Sequence, residues 1–196
     1  STARESKSSG GQIGSSTQYG LDAFMAAPGP SGSPGSHAPL VLTLFGMPGP
    51  ATWRDAVTAS ARRLGRSGLR AEALILETSY AAGLPALAAR VEAAGPRAVL
   101  MLGVAARARH VRVELFGRGG ASILHPDATG RAASRKTVSA GRPMLATGRP
   151  QAALSRLRQA GIVARLSPSA GRYLCDASYA SALRHPGLNR RPVLFV

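Results

Sequence analysis

The 196-residue sequence contains one cysteine, few aromatic residues and no long hydrophobic run. Because Cys175 is the only cysteine, it cannot form an internal disulfide, and the disulfide framework of a small secreted protein is excluded. No apolar stretch approaches the length of a membrane span, and residues 1–37 lack the apolar core of a secretory signal. We therefore expect a cytoplasmic protein in which Cys175 is either a small core residue or a reactive thiol.

Acidic residues are also scarce, nine against 25 basic ones, which gives a formal charge of +16. All the basic residues except Lys7 and Lys136 are arginines, and they are spread along a chain rich in alanine, glycine and proline. Their densest group, Arg107, Arg109 and Arg112, has no interleaved aromatic residues to stack on bases. A nucleic-acid partner is therefore the weakest of the functions considered, and the few acidic residues become the more informative ones.

Two regions differ in composition. Residues 1–37 are rich in serine, glycine and proline and have no apolar period, so we expect a disordered tail. Residues 38–196 alternate apolar runs with helical patterns, which predicts one α/β domain, a three-layer α/β/α sandwich around a mostly parallel, mixed sheet. The expected strands are 40–45, 73–76, 98–102, 110–116, 121–124, 162–166 and 192–196; the expected helices are 51–64 with a stop at Gly65, 84–93, 151–159 and 172–184.

Sites in such sheets collect at the carboxyl ends of the strands. Gly46, Gly103 and the loop before Cys175 all follow expected strands, so they are predicted to share one rim. Cys175 lies in the opening turns of its helix, where backbone N–H groups and the helix dipole favour the thiolate form.

A cysteine nucleophile needs a base, usually a histidine. His37 is in the tail, and His185 is ten residues after the cysteine on the same helix, about 15 Å away. His110 and His125 occupy positions typical of surface or loop residues. Spacing alone therefore provides no partner for the thiol.

Glu114 lies in an alternating segment, on the strand face shared with His110 and Arg112. Two interpretations remain open. It is either a solvated residue paired with Arg112, which contributes little to stability, or a carboxylate held on a rigid strand to orient an imidazole.

Three ordered motifs resemble the pyrrolidone-carboxylate (pyroglutamyl) peptidases, cysteine peptidases that remove an N-terminal pyroglutamate, and above all their divergent bacterial members. The similarity spans about residues 40–196. The motifs are Phe45-Gly46-Met47-Pro48, resembling the substrate loop; residues 102–114, resembling the glycine-to-glutamate signature; and residues 169–179, resembling the signature around the cysteine.

This resemblance implies that Cys175 is the nucleophile and Glu114 the acid that orients the histidine. It also implies a pocket lined by Phe45, Gly46, Gly103, Ala170 and Gly171, with no metal or cofactor. The implied substrate is a peptide with a blocked N-terminus, and a homo-oligomer, dimer or tetramer, is expected.

The chain departs from the family pattern at four places. Pro48 replaces an aromatic residue, Val104 a glutamine and Asp176 an asparagine, whose replacement by a carboxylate disfavours a nearby thiolate. The family's histidine would directly follow Val196. The otherwise intact final strand favours a sequence that continues beyond residue 196. The alternative is an inactive member of the same fold that acts as a binding or interaction protein.

Overall fold

A computed structural model of the chain describes residues 38–46, 52–105, 107–134 and 141–196. The predicted tail, residues 1–37, lies outside the described residues. Within these ranges a 3-10 turn at Pro186–Leu188 accompanies the helices and strands. These are, in chain order, β1 (Leu40–Gly46), α1 (Thr52–Arg66), β2 (Ala71–Glu77), α2 (Gly83–Ala94), β3 (Ala98–Leu102), β4 (Val111–Glu114), β5 (Phe116–Gly117), β6 (Met144–Leu145), α3 (Pro150–Gln159), β7 (Ala164–Ser167), α4 (Leu174–Arg184) and β8 (Val193–Phe195).

The main sheet has the strand order β2-β1-β3-β8-β4-β7. Neighbouring strands are parallel except β4 and β8, which are antiparallel. Helix α1 packs on β1 and β2, α3 packs on β4 and β7, and α2 packs against α4. The predicted single-domain, three-layer α/β/α sandwich around a mostly parallel, mixed sheet is confirmed.

Apolar residues along the central strands form the core. Strand β3 is apolar along its whole length, as expected of a strand covered on both faces, and Val99 and Met101 are fully buried. Leu194 of β8 and Tyr179 of α4 are also fully buried. The interior of the sheet, where β8 lies between β3 and β4, is therefore packed tightly against the helix that carries the cysteine.

The strand expected at 110–116 is divided into two. Strand β4 ends at Glu114, and Phe116–Gly117 pairs with Met144–Leu145 in a separate two-stranded ribbon. The expectation of a half-exposed strand was wrong: β4 lies between β8 and β7, and both Val113 and Glu114 are buried. The alternation of polar and apolar residues here reflects polar contacts inside the protein.

Two further local predictions were wrong. Residues 121–124 form no strand; the Ser122 hydroxyl instead accepts hydrogen bonds from the backbone N–H groups of Leu124 and His125. Gly65 does not stop α1, which continues to Arg66. A turn at Ser67 and Gly68, whose φ is +80°, follows the helix.

A row of paired residues crosses the sheet near the carboxyl ends of four strands. Met101 of β3 pairs with Phe195 of β8, Phe195 pairs with Glu114 of β4, and Glu114 pairs with Ser167 of β7. Strands β4 and β8 run in opposite directions and meet only at their ends. The fold therefore brings Glu114 next to the end of β8 and next to the loop that leads into α4.

Candidate active site

Cys175 is the second residue of α4 and is partly buried. No side chain caps the N-terminus of this helix, and the first intrahelical donor is the N–H group of Ala177, which bonds to the carbonyl of Tyr173 at 3.1 Å. The backbone N–H groups of Leu174, Cys175 and Asp176 precede that donor. They therefore form the end of the helix that favours a negative charge.

Burial raises the pKa of the Cys175 thiol to about 11, and the negative charges of Glu114 and Asp176 act in the same direction. A hydrogen bond from its own backbone N–H lowers the pKa in part. The helix start alone therefore does not produce a thiolate, contrary to the sequence-based expectation. Loss of solvent around the sulfur outweighs the helix dipole, so a thiolate needs an additional positive partner.

Gly103 directly follows β3 and lies against the thiol. A Cβ atom on this residue would be 3.6 Å from Cys175 Sγ and 2.7 Å from two ring carbons of Phe195. The Gly103 N–H donates to the carbonyl of Val196 at 3.0 Å. A residue without a side chain is required here because the Phe195 ring occupies the space beside the cysteine.

Glu114 is only 3% exposed. Its Oε1 lies 3.2 Å from Arg112 Nε, whereas Oε2 is buried and has no hydrogen-bond partner in the described part of the chain. Burial raises the carboxyl pKa, and the charge of Asp176 adds to this rise; the Ser167 hydroxyl and the Arg112 guanidinium lower it in part. The interpretation of Glu114 as a solvated surface residue was wrong. It is a buried carboxylate with one oxygen available to a donor.

Comparisons with known proteins find similar sequences and similar folds. No protein-family model matches the chain. The pyrrolidone-carboxylate peptidase of Gloeobacter violaceus is 28% identical over 138 residues, 69% of this chain and 66% of that protein, so the chain spans just under two thirds of its relative. The pyrrolidone carboxyl peptidase of Thermus thermophilus matches with a TM-score of 0.63 and 27% identity, over 80% of this chain and 82% of that one.

The enzyme of Fervidobacterium islandicum AW-1 has the same fold, with a TM-score of 0.65 and 22% identity over 80% of this chain and 78% of that one. The chain is similar in sequence and in fold to the pyrrolidone-carboxylate peptidases.

The other residues that the pyrrolidone-carboxylate peptidase resemblance singled out fall in two places. Phe45 and Gly46 end β1, in register with Leu76 and Glu77 of β2. Residues 47–50, which include Pro48, lie outside the described residues. Ala170 and Gly171 lie in the β7–α4 loop, where Ala170 packs on the core and Gly171 has φ +94°.

Asp176, which stands where the pyrrolidone-carboxylate peptidases have asparagine, is completely buried. Its carboxylate accepts hydrogen bonds from the backbone N–H groups of Arg118 at 3.1 Å and Gly120 at 2.6 Å. The predicted unfavourable effect of its charge on the thiolate is confirmed, because it raises the pKa of Cys175. The structure adds a second role, since Asp176 holds the segment after β5 against α4.

An aromatic pair that the sequence did not suggest links the loop after β2 to the residue that precedes the cysteine helix. The rings of Tyr80 and Tyr173 meet edge to face, with centroids 5.8 Å apart. The Tyr173 hydroxyl donates to the carbonyl of Pro126, and Asp127 accepts the backbone N–H of Tyr80 at 3.0 Å. The Pro126-Asp127 pair before Gly130 is a sequence pattern typical of a tight turn, and it is the signal that could have predicted a turn here to which both tyrosines bond.

No histidine in the described residues forms a hydrogen bond or an ion pair with Cys175 or Glu114. His185 is engaged elsewhere, because its Nε2 lies 3.8 Å from Glu92 Oε1 and its Nδ1 accepts the N–H of Gly187. The prediction that His185 cannot reach the thiol is consistent with these contacts.

The described ranges contain no cluster of three or more histidine, cysteine, aspartate or glutamate side chains able to hold a metal ion. The helices within them are too short or too polar to cross a membrane.

Proposed function

We propose that this chain is a cysteine peptidase that removes pyroglutamate from the N-terminus of peptides. Cys175 is the nucleophile in this proposal, and Glu114 orients a histidine base. The observation that carries it is the approach of three parts of the chain that are distant in sequence: a helix-start thiol, a glycine that leaves space beside it, and a buried carboxylate whose Oε2 has no partner in the described part of the chain. The similarity to pyrrolidone-carboxylate peptidases supports the choice of reaction.

The register of the sheet supports a position for the base. Met101 pairs with Phe195, and the N–H of Val196 donates to the carbonyl of Met101 at 2.9 Å. Continuing this register would put the residue after Val196 opposite Gly103, which adjoins Cys175 Sγ. A histidine there would lie near both the thiol and the strand end that carries Glu114, as the family resemblance implies.

The raised thiol pKa fits such a base. A buried sulfur that resists ionisation gains most from an imidazole that accepts its proton and remains beside it as a cation. The thiolate then attacks the carbonyl carbon of the pyroglutamyl amide. The imidazolium protonates the departing amine as the C–N bond breaks, and water hydrolyses the resulting thioester to release pyroglutamate.

The oxyanion of the tetrahedral intermediate is assigned to the start of α4. The backbone N–H groups of Leu174, Cys175 and Asp176 precede the first intrahelical hydrogen bond of the helix. N–H groups fixed in this way stabilise a developing negative charge without having to reorganise during the reaction.

The lactam ring is assigned to a pocket formed by Phe45, Gly46, Gly103, Ala170 and Gly171. The Tyr80–Tyr173 pair supplies aromatic surface near the start of α4, because Tyr173 is the residue that precedes this helix and its ring meets that of Tyr80 edge to face. We propose that this pair compensates for the missing aromatic residue at Pro48.

The alternative, an inactive member of the fold that binds a partner, is less well supported. A protein that only bound a ligand would not require a buried glutamate with an unpaired oxygen beside a helix-start cysteine, since leaving such an oxygen unsatisfied costs stability. We further expect a cytoplasmic enzyme that acts on peptides with a blocked N-terminus, assembles into dimers or tetramers, and needs no cofactor or nucleic acid.

The test is hydrolysis of a pyroglutamyl arylamide by the protein with any natural residues that follow Val196. A prolyl arylamide, which lacks the lactam carbonyl, is the control substrate. Cys175→Ser should abolish turnover, and Glu114→Gln should reduce it about 100-fold or more. Absence of turnover by this protein, with its circular dichroism spectrum showing an intact fold, would overturn the proposal. Tight binding of the pyroglutamyl peptide without cleavage would instead support the inactive alternative.

A further inference from the structure

Arg112 connects the acidic residue of the site to the loop that leads into the cysteine helix. Its Nε lies 3.2 Å from Glu114 Oε1. Its Nη2 donates to the Ser167 hydroxyl at 2.7 Å and to the Ser169 carbonyl at 2.6 Å. One guanidinium therefore joins strand β4, the end of β7 and the first residues of the β7–α4 loop.

The geometry of this contact leaves the second carboxylate oxygen unused. Arg112 engages only Oε1, so Oε2 stays buried without a hydrogen-bond partner in the described ranges. A planar guanidinium with several fixed donors can hold a carboxylate and a carbonyl at once, which a lysine ammonium does less well. The arrangement therefore fixes the orientation of Glu114 while keeping one acceptor available.

Charge balance also depends on Arg112. The ionisable groups that interact with Glu114 from the neighbouring helix α4 are Cys175, Asp176 and Tyr179, and none of them carries a positive charge. Across the sheet its register partners are the uncharged Ser167 and Phe195. Arg112 is therefore the positive charge that offsets the burial of Glu114 among the groups of the described structure.

We propose that Arg112 is a positioning residue, which holds the Glu114 carboxylate and the β7–α4 loop together so that Glu114 Oε2 is presented to the histidine base. The role of Oε2 rests on the proposed function. The connection between Arg112, Glu114 and the cysteine helix does not, and a separate measurement on the thiol tests it.

The first experiment measures pyroglutamyl arylamide hydrolysis by Arg112→Gln, Arg112→Lys and a control, Arg165→Gln. Arg165 is exposed, lies opposite Arg112 on β7, and makes none of the three contacts described above. We expect Arg112→Gln to lower kcat about 10- to 100-fold with little change in KM, because the acid loses its orientation. In the plot of kcat against pH for Arg112→Gln, the acid limb should move to higher pH, since Glu114 loses the positive charge that lowers its pKa. Arg112→Lys should recover part of kcat, and Arg165→Gln should match the parent.

The second experiment uses the single cysteine and needs no peptidase activity. The rate of Cys175 alkylation by iodoacetamide between about pH 8 and pH 10 reports the thiolate fraction. We expect Arg112→Gln to slow alkylation about three- to tenfold at a fixed pH, because the Glu114 charge is no longer balanced. In a Glu114→Gln background, the same Arg112 change should have less than half of this effect on a logarithmic scale.

The two readouts separate the possible failures. If the parent protein hydrolyses no substrate but alkylation follows the expected pattern, the proposed function fails and the Arg112 connection stands. If Arg112→Gln folds, keeps kcat within twofold of Arg165→Gln and shows the same alkylation rate as that control, the positioning role is overturned. If Arg112→Gln does not fold, Arg112→Lys decides. Lysine keeps the charge of Arg112 but not its fixed set of donors. A kcat of Arg112→Lys within twofold of the parent would therefore overturn the role, whereas a lower kcat with a parent-like pH profile would support it.

Discussion

Replacing Gly103 with alanine tests how tightly the site is packed around the cysteine. The added Cβ would lie 2.7 Å from the Cε1 and Cζ atoms of Phe195, well inside van der Waals contact. The ring cannot easily move, because Phe195 is 5% exposed, packs on Tyr179 with ring centroids 5.6 Å apart, and pairs in the sheet with Glu114. Excess volume at such a site usually costs about 1–3 kcal/mol.

We therefore expect Gly103→Ala to lower the free energy of unfolding by about 1–3 kcal/mol, which corresponds to a fall in Tm of about 2–12 °C for a domain of this size. Urea unfolding followed by circular dichroism measures this change. The matched control is Gly65→Ala, inside helix α1 with no atom within 4 Å of the new Cβ, which should be neutral or stabilising by up to about 1 kcal/mol.

A double-mutant cycle isolates the clash. If the Phe195 ring is the obstacle, Gly103→Ala should cost less in a Phe195→Leu background than in the parent, with a coupling of about 1 kcal/mol or more. Equal costs in both backgrounds, or a Gly103→Ala variant within 0.5 kcal/mol of the parent, would refute the packing argument (a change that small is typical of a surface site).

Three further outcomes follow from the contacts of the site. Asp176→Asn loses one acceptor oxygen for the backbone N–H groups of Arg118 and Gly120, so it should destabilise the protein by about 1–3 kcal/mol in thermal unfolding. Because the negative charge that raises the Cys175 pKa is also removed, Cys175 should be alkylated faster at a fixed pH, and slower alkylation would contradict this. Glu114 has a raised pKa in the folded state, so it binds a proton there more readily than in the unfolded chain, and its contribution to stability falls as pH rises from about 4.5 through the folded pKa. Glu114→Gln should remove this loss, and an unchanged dependence of urea midpoints on pH would count against it. Tyr173→Phe loses the hydrogen bond to the Pro126 carbonyl and should lower stability by about 0.5–1.5 kcal/mol in urea unfolding; no measurable change would show that the bond contributes nothing.

Hydrophobic patterning predicted most of the fold. The run at residues 98–102 is a strand with the predicted bounds, and the cysteine helix begins two residues later than expected. The meeting of β4 and β8 could not be predicted in this way, because one register pair, Glu114 with Phe195, joins strands that are far apart in sequence. Their antiparallel approach depends on tertiary packing, which local periodicity does not encode.

The candidate site was predictable as a set of residues but not as a set of contacts. Alternation in residues 110–116 suggested a polar face exposed to solvent, whereas the partners of that face are the Ser167 hydroxyl at the end of β7 and the Ser169 carbonyl in the loop after it, more than 50 residues later in the chain. The position of Cys175 at a helix start likewise indicated a lowered thiol pKa. Burial raises this pKa instead, and the degree of burial depends on the whole fold.

The proposed reaction requires Cys175 to form a covalent bond to a pyroglutamyl group. Intact-mass spectrometry detects this bond in the protein, with any natural residues after Val196, when it is quenched in acid during turnover of a pyroglutamyl arylamide. We expect a mass increase of one pyroglutamyl group that maps to Cys175 and is absent from Cys175→Ser. Turnover that persists in Cys175→Ser, or an adduct on another residue, would contradict it.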